Sequence, residues 1–102
     1  MLYIVDNYAI EPESKLQPVE IFDITPKQLR TLMMVEEWRA YIFGSDAAEI
    51  LSRLIDISIK PCFSTFFLDD INAEKDSVVF VRVDWIKKSR PVELTFTKYK
   101  RI

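Results

Sequence analysis

The sequence contains no histidine, and it has only one glycine and one cysteine among its 102 residues. Histidine is the side chain that ordinarily titrates between about pH 5 and 8, so its absence removes the commonest general acid and excludes Cys/His zinc sites. Cys62 cannot form a disulfide within the chain, and a small buried or half-buried thiol is favoured over a reactive one. Because Gly44 is the only glycine, glycine-rich phosphate loops and nucleophile elbows are also excluded.

Asparagine and glutamine are scarce too, with two of each, which is the direction of bias seen in proteins from hot environments. The first ten residues are apolar, but Asp6 interrupts them and no basic segment precedes them. This pattern predicts neither a signal peptide nor a membrane-spanning helix, and it favours a cytoplasmic location.

What the chain does contain is typical of a soluble globular protein, with 49% hydrophobic and 29% charged residues. Its length fits a single domain with one main core, since domains cluster near roughly 100 to 150 residues. We therefore expect residues 1–102 to form one domain.

Charge is distributed unevenly along the chain. Residues 1–86 carry 8 basic and 15 acidic side chains, a balance of −7, whereas residues 87–102 carry 6 basic and 1 acidic, a balance of +5. Such a basic segment can contact phosphates or an acidic partner. The alternative is that its lysines protect an edge strand from aggregation.

Hydrophobic periodicity and turn residues predict an α+β fold. Strands are predicted at 2–10, 19–24, 38–43, 63–68 and 78–85, with a short strand at 57–59 and a final strand that buries Val92, Leu94 and Phe96 on one face. Two helices are predicted, the first after Thr25 and the second after Gly44. Their order indicates a mixed sheet of five to six strands with both helices packed against it.

Local signals mark both helices. Thr25, Pro26 and Gln28 have the spacing of a capping box with proline at the first helical position, and Gly44 to Asp46 supply the N-cap of the second helix. The apolar stripe predicted for the first helix is Leu29, Leu32 and Met33, and that for the second is Ala47, Ile50, Leu51, Leu54 and Ile55.

Three segments are candidate sites. The strand-to-helix junction at Gly44 and Ser45 offers backbone N–H groups to an anion, although Asp46 already complements the helix dipole and capping alone is the alternative. Basic residues that can hold phosphates form two groups: Lys87, Lys88 and Arg90 in a turn, and Lys98, Lys100 and Arg101 interleaved with Tyr99. The acidic stretch at 69–76 lacks the spacing of a calcium loop, so we expect a solvated turn, no metal and no cofactor.

Several segments resemble the small ring-nuclease family of crenarchaeal filamentous and rod-shaped viruses, which has prophage and bacterial relatives. The resemblance lies in the opening residues 1–6, in a gapless stretch from Ile24 to about Ile59, and most clearly in residues 48–52, Ala-Glu-Ile-Leu-Ser. It implies a homodimer in the host cytoplasm. It also implies a ligand, cyclic tetra-adenylate, held across the subunit interface and cut without metal by a histidine acting as general acid.

The chain departs from that family at each catalytic position. The gapless alignment puts Gly44 in the place of the histidine, and a one-residue slip puts Ser45 there. The family's Asn-Arg pair falls at Cys62 and Phe63, and its later arginine and glutamate have no match. Arg82 and Arg90 are the candidates to take over a phosphate contact, and we expect no catalysis by the family mechanism.

The sequence thus leaves three functions open. The first is a catalytically silent relative that binds cyclic oligoadenylate or another phosphate ligand through Gly44, Ser45, Arg82, Lys87, Lys88 and Arg90 to counter host defence. The second is a module that binds a host or viral protein through an aromatic groove formed by Trp38, Phe63, Phe66, Phe67 or Trp85. The third is a weak nucleic-acid-binding protein that uses its basic C-terminal segment.

Overall fold

The computed structural model describes residues 1–84 and 92–102. Its elements, in chain order, are strand β1 (Leu2–Val5), β2 (Tyr8–Ala9), β3 (Leu16–Ile24), helix α1 (Pro26–Val35), β4 (Trp38–Tyr41), α2 (Ser45–Ile55), β5 (Phe66–Phe67), a short 3₁₀ turn (Leu68–Asp70), β6 (Ser77–Val83) and β7 (Val92–Arg101).

Five strands form the main sheet in the order β3-β7-β6-β1-β4, and β2 pairs with β5 in a small second sheet. β1 runs parallel to both β4 and β6, whereas β7 is antiparallel to β6 and to β3. The predicted mixed sheet with two helices is confirmed. Since β6, β1 and β4 are parallel, their carboxyl ends lie together, and we call this side of the sheet the carboxyl edge.

Helix α1 begins where its capping signal predicts. Thr25 Oγ1 accepts a hydrogen bond from Gln28 N at 3.1 Å, and Gln28 Oε1 accepts one from Thr25 N at 2.8 Å. Both helices bury their inner stripes against one face of the sheet, although Leu54 is 42% exposed rather than buried. The core on this face is built from Leu2, Ile4, Leu29, Met33, Ile42, Ala47, Ala48, Leu51, Ile55, Ile59, Val79, Val81, Val92, Leu94 and Phe96.

The opposite face of the sheet is covered by β5, the 3₁₀ turn and the loops beside them. This second core consists of Val5, Leu16, Phe66, Leu68, Ile71, Ala73, Val78 and Tyr99, with Tyr3, Tyr41 and Phe80 packed against it. Aromatic contacts tie the layers together, and the ring of Phe66 lies 4.9 Å from that of Tyr3 and 5.3 Å from that of Tyr41.

Several predicted strands differ from the observed ones. The run at 2–10 is two strands, because Asp6 and Asn7 leave the sheet between β1 and β2. Residues 57–59 are not a strand, since Ser52 Oγ accepts a hydrogen bond from Ile59 N at 2.8 Å and replaces a ladder bond. Of residues 63–68, only Phe66–Phe67 pairs as a strand.

The acidic stretch at 69–76 is not wholly solvated as predicted. Asp76 is buried, its Oδ1 lies 3.2 Å from the amino group of Met1, and its Oδ2 accepts a hydrogen bond from Asn72 N at 2.7 Å. This carboxylate therefore fastens the start of β1 to the loop before β6. No cluster of side chains able to hold a metal ion occurs within 1–84 and 92–102, and no helix there is long and apolar enough to cross a membrane.

The hypothesis that the C-terminal lysines protect an edge strand is wrong. β7 lies inside the sheet between β3 and β6, and Lys98 faces Glu20 on one side and Ser77 on the other. Opposite charges on adjacent strands stabilise the pairing. Lys98 therefore offsets Glu20 of β3, which is itself an edge strand, whereas Lys100 and Arg101 lie opposite Gln17 and Leu16.

Candidate functional site

The carboxyl edge brings together predicted site residues that are distant in sequence. Phe80 of β6, Val5 of β1 and Tyr41 of β4 lie side by side in register. Arg82 lies two residues beyond Phe80, and Gly44 lies three residues beyond Tyr41. In sheets with parallel strands, ligands bind in the crevice outside the carboxyl ends, so this edge is the candidate site.

Asp6 fixes the loops of this edge. Its Oδ1 accepts a hydrogen bond from Phe43 N at 2.7 Å, and its own N–H donates to Tyr41 O at 3.1 Å. A further backbone bond, from Cys62 N to Ile42 O at 2.8 Å, joins the loop after α2 to the segment before it. The segment that leads from β4 into α2 is therefore hydrogen-bonded to Asp6 on one side and to Cys62 on the other.

We predict that Asp6→Ala lowers the free energy of unfolding by about 1 kcal/mol, because the Phe43 N–H loses a charged acceptor. Asp6→Asn keeps an acceptor oxygen and should lose less. Urea unfolding monitored by far-UV circular dichroism measures both variants. Equal losses for alanine and asparagine would contradict this role of the Asp6 carboxyl group.

Gly44 is the N-cap of α2, with φ −79° and ψ 130°. This conformation is open to any residue, and a Cβ added at Gly44 would meet the Ala47 Cβ at an ordinary 3.6 Å. Gly44 O accepts the first helical hydrogen bond, from Ala48 N at 2.9 Å. The only glycine is therefore not required by the backbone, and its lack of a side chain leaves the first turn of α2 open.

The electrostatics of this edge are mixed. The N-terminus of α2 carries the positive end of the helix dipole, and Arg82 is exposed on β6. Four carboxylates oppose them among the described residues: those of Asp6, Asp46 and Asp84, and that of Glu93, which lies directly opposite Arg82 on β7. The arrangement can accept an anion, but only with moderate affinity.

Three of the six predicted site residues lie towards the carboxyl edge, but they do not share one face of the sheet. Gly44 and Ser45 begin α2, and Ser45 is exposed at its first position. Arg82 alternates with Val81, so it shares the face of Phe80, opposite the face that α2 covers. Lys87, Lys88 and Arg90 lie outside the described residues.

The second basic group does not form the predicted basic and aromatic strip. Tyr99 is 9% exposed and packs in the second core, and burial raises the pKa of its hydroxyl to about 12, with Tyr8 contributing further. Its ring is not available to stack on a base. Lys98 is half-buried against β3 and β6, which leaves Lys100 and Arg101 exposed.

The predicted aromatic groove is not assembled from the described residues proposed for it. Phe66 is buried in the second core, whereas Trp38 packs on the helix side and lines a surface cavity of about 550 Å³ at the other end of β4. Phe67 is half-exposed on β5, and Trp85 lies outside the described residues. Phe63 is exposed and contacts Phe43, which follows β4 at the carboxyl edge.

Two exposed features of the structure were not predicted from the sequence. Phe43, predicted as a strand residue, is 52% exposed and meets Phe63 edge to face with ring centroids 5.6 Å apart. Strand β3 is exposed along residues 17–23, including Val19, Ile21 and Phe22. Residues 19–24 are predicted as a strand, and nothing in that sequence shows that its apolar side chains lack a covering layer.

Comparisons with known proteins bear on the fold. No known family model matches the chain, and no curated protein matches it in sequence. Among solved structures, it is similar to B116 of Sulfolobus turreted icosahedral virus, with a TM-score of 0.65 at 8% identity over 95% of this chain and 97% of that one. At this identity the likeness shows a shared fold. The ring-nuclease resemblance stays a prediction.

Proposed function

We propose that this protein is a catalytically silent relative of the viral ring nucleases that binds cyclic oligoadenylate, or another phosphate-bearing ligand, to counter defence in the host cytoplasm. The observation that carries this proposal is the meeting of three parallel strands with the open N-terminus of α2 at Gly44. The shared fold with a Sulfolobus virus protein supports a viral origin.

The binding role rests on the first turn of α2 and on Arg82. The first N–H groups of a helix have no partner within it, and together with the dipole they favour an anion. Arg82 adds a permanent positive charge on the next strand but one, although Glu93 lies opposite it on β7. With four carboxylates nearby, we expect micromolar rather than nanomolar affinity.

We expect no catalysis because the chain lacks the general acid of the ring-nuclease family. Cleavage of a phosphodiester needs a group that gives a proton to the leaving oxygen, and this chain has no histidine to do so. Gly44 and Ser45, which occupy the corresponding place, supply no acid near neutral pH. We therefore expect bound ligand to be released intact.

Calorimetry with cyclic tetra-adenylate tests this function, using Gly44→Asp and Gly44→Asn as a matched pair. Both residues are good N-caps and fit the space at Gly44, so neither variant should be less stable than the native chain. The added carboxylate repels phosphate, and we expect Gly44→Asp to bind about tenfold more weakly than Gly44→Asn. Absence of heat from the native protein at micromolar concentrations, or equal binding by the pair, would refute the proposal.

We also propose that two copies associate through β3. Among the described residues no strand pairs with its outer edge, so its outward N–H and C=O groups can bind another strand. Val19, Ile21 and Phe22 are 52%, 62% and 49% exposed, which is unusual for an apolar strand facing water. A second copy of β3 would satisfy the backbone groups and bury these side chains.

Charge excludes some registers of such a pair. A two-fold axis perpendicular to the sheet keeps each residue on its own face, so one residue must lie opposite its own copy, with the axis midway between the two strands. An axis beside Glu20 would put two glutamates opposite each other. We propose an axis beside Ile21, which pairs Ile21 with its own copy and sets Glu20 opposite Phe22 of the second copy, within the regular part of β3 that follows the bulge between Pro18 and Glu20.

A further inference from the structure

The exposed pair of Phe43 and Phe63 is not used by the function proposed above. Phe43 precedes the N-cap of α2, and Phe63 lies in the loop that follows α2. Their rings meet at 86°, and Phe63 remains 76% exposed even with this contact. One ring thus supports the other edge to face and leaves a broad aromatic surface in water.

The two rings stand on fixed backbone. Phe43 N donates to Asp6 Oδ1, and the segment before Phe63 is tied to the segment before Phe43 by the bond from Cys62 N to Ile42 O. A surface that is already held in place loses little conformational entropy when a ligand binds. The two rings are therefore preorganised for binding.

We propose that Phe43 and Phe63 form a platform on which the base of a nucleoside stacks. This inference rests on the function proposed above for the position of the ligand. Aromatic side chains stack on any base, because every base has a π-face. A purine covers more of the ring surface than a pyrimidine and should bind more tightly.

The polar surroundings favour a nucleoside at this end of the site. Ser45 and Asp46 follow Phe43 within three residues and are exposed. A carboxylate accepts hydrogen bonds from ribose hydroxyls, as acidic residues do in dinucleotide sites. Phe43 directly precedes Gly44, so a base stacked on the two rings would lie beside the phosphate-binding first turn of α2, with its ribose next to Ser45 and Asp46.

Adenosine, which has no phosphate, is the probe for the platform. We expect its titration to shift the backbone amide signals of Phe43 and Gly44 in ¹H–¹⁵N spectra, with a millimolar dissociation constant. Phe63→Leu keeps an apolar side chain but removes the aromatic face, and it should weaken adenosine binding about tenfold. Phe63→Tyr keeps the face and should bind as the native chain does.

Phe67→Leu serves as the matched control, because Phe67 is also exposed, at 46%, but lies on β5. It should bind adenosine as the native protein does. The platform is refuted if adenosine shifts no signal, or if Phe63→Leu binds it as tightly as the native chain.

The two proposals fail separately. If cyclic tetra-adenylate binds and responds to Gly44→Asp but not to Phe63→Leu, the platform is wrong and the phosphate site stands. If adenosine binds through Phe63 while cyclic tetra-adenylate binds no tighter, the platform stands and the proposed ligand is wrong.

Discussion

Replacing Ile21 with lysine is expected to convert the protein from a dimer to a monomer at micromolar concentration. In the register proposed for β3, Ile21 lies beside the two-fold axis and faces its own copy. A single substitution therefore removes an apolar contact from both copies and places two ammonium groups opposite each other on adjacent strands. Like charges so placed cost several kcal/mol, and every 1.4 kcal/mol is about a tenfold change, so we expect the dimer to weaken at least about a hundredfold.

Analytical ultracentrifugation measures this change directly. Val35→Lys is the matched control, because Val35 is apolar and 72% exposed but lies at the end of α1. It should leave the dimer intact. A native chain that sediments as a monomer up to about 100 μM, or an Ile21→Lys variant that associates as the native chain does, would rule out pairing through β3.

The second large effect is expected on the stability of the folded protein. Leu51→Ala is expected to lower the free energy of unfolding by about 3 kcal/mol, since it removes a fully buried side chain between α2 and the sheet and leaves a cavity. A domain of this size has a total stability of only about 5 to 15 kcal/mol, so the variant should be close to unfolding at elevated temperature.

Leu54→Ala is the control within the same helix. Leu54 is 42% exposed, so its truncation should cost less than about 1 kcal/mol while changing helix propensity by the same amount as at Leu51. Urea unfolding monitored by far-UV circular dichroism gives both values. Similar losses at the two positions would mean that α2 does not pack on the sheet through Leu51.

The elements that the sequence predicts well are those encoded by neighbouring residues. Thr25 and Gln28 lie three residues apart and bond to each other, so the start of α1 can be read directly. The stripe of α2 is also local, and its one error, Leu54, lies at the margin of the stripe. The order of the strands is not local, because β7 pairs with β3 across most of the chain.

The error over the C-terminal lysines has the same origin. A strand with alternating basic residues resembles a protected edge, and the compensating Glu20 lies 78 residues away from its partner Lys98 in sequence. Only the pairing shows that β7 is internal. Charge patterns along one strand therefore predict its neighbours poorly.

The candidate site was predictable only in part. Gly44 and Ser45 are recognisable because a strand runs directly into a helix start, and this junction is a local pattern. The structural role of Asp6 was not predicted because the group it binds, the Phe43 N–H, is 37 residues away in sequence. The exposure of Phe43 was not predicted because an aromatic residue at the end of a predicted strand is more often part of a core.

The central position of β7 has a consequence for how the protein is made. Residues 92–101 are synthesised last among the strands, yet they join β3 to β6. Until they leave the ribosome, β3 lacks the one described strand that pairs with it, and its apolar residues are free to contact other nascent chains. The main sheet must close in a late, long-range step, which makes folding slow for a small domain and truncation before residue 92 prone to aggregation.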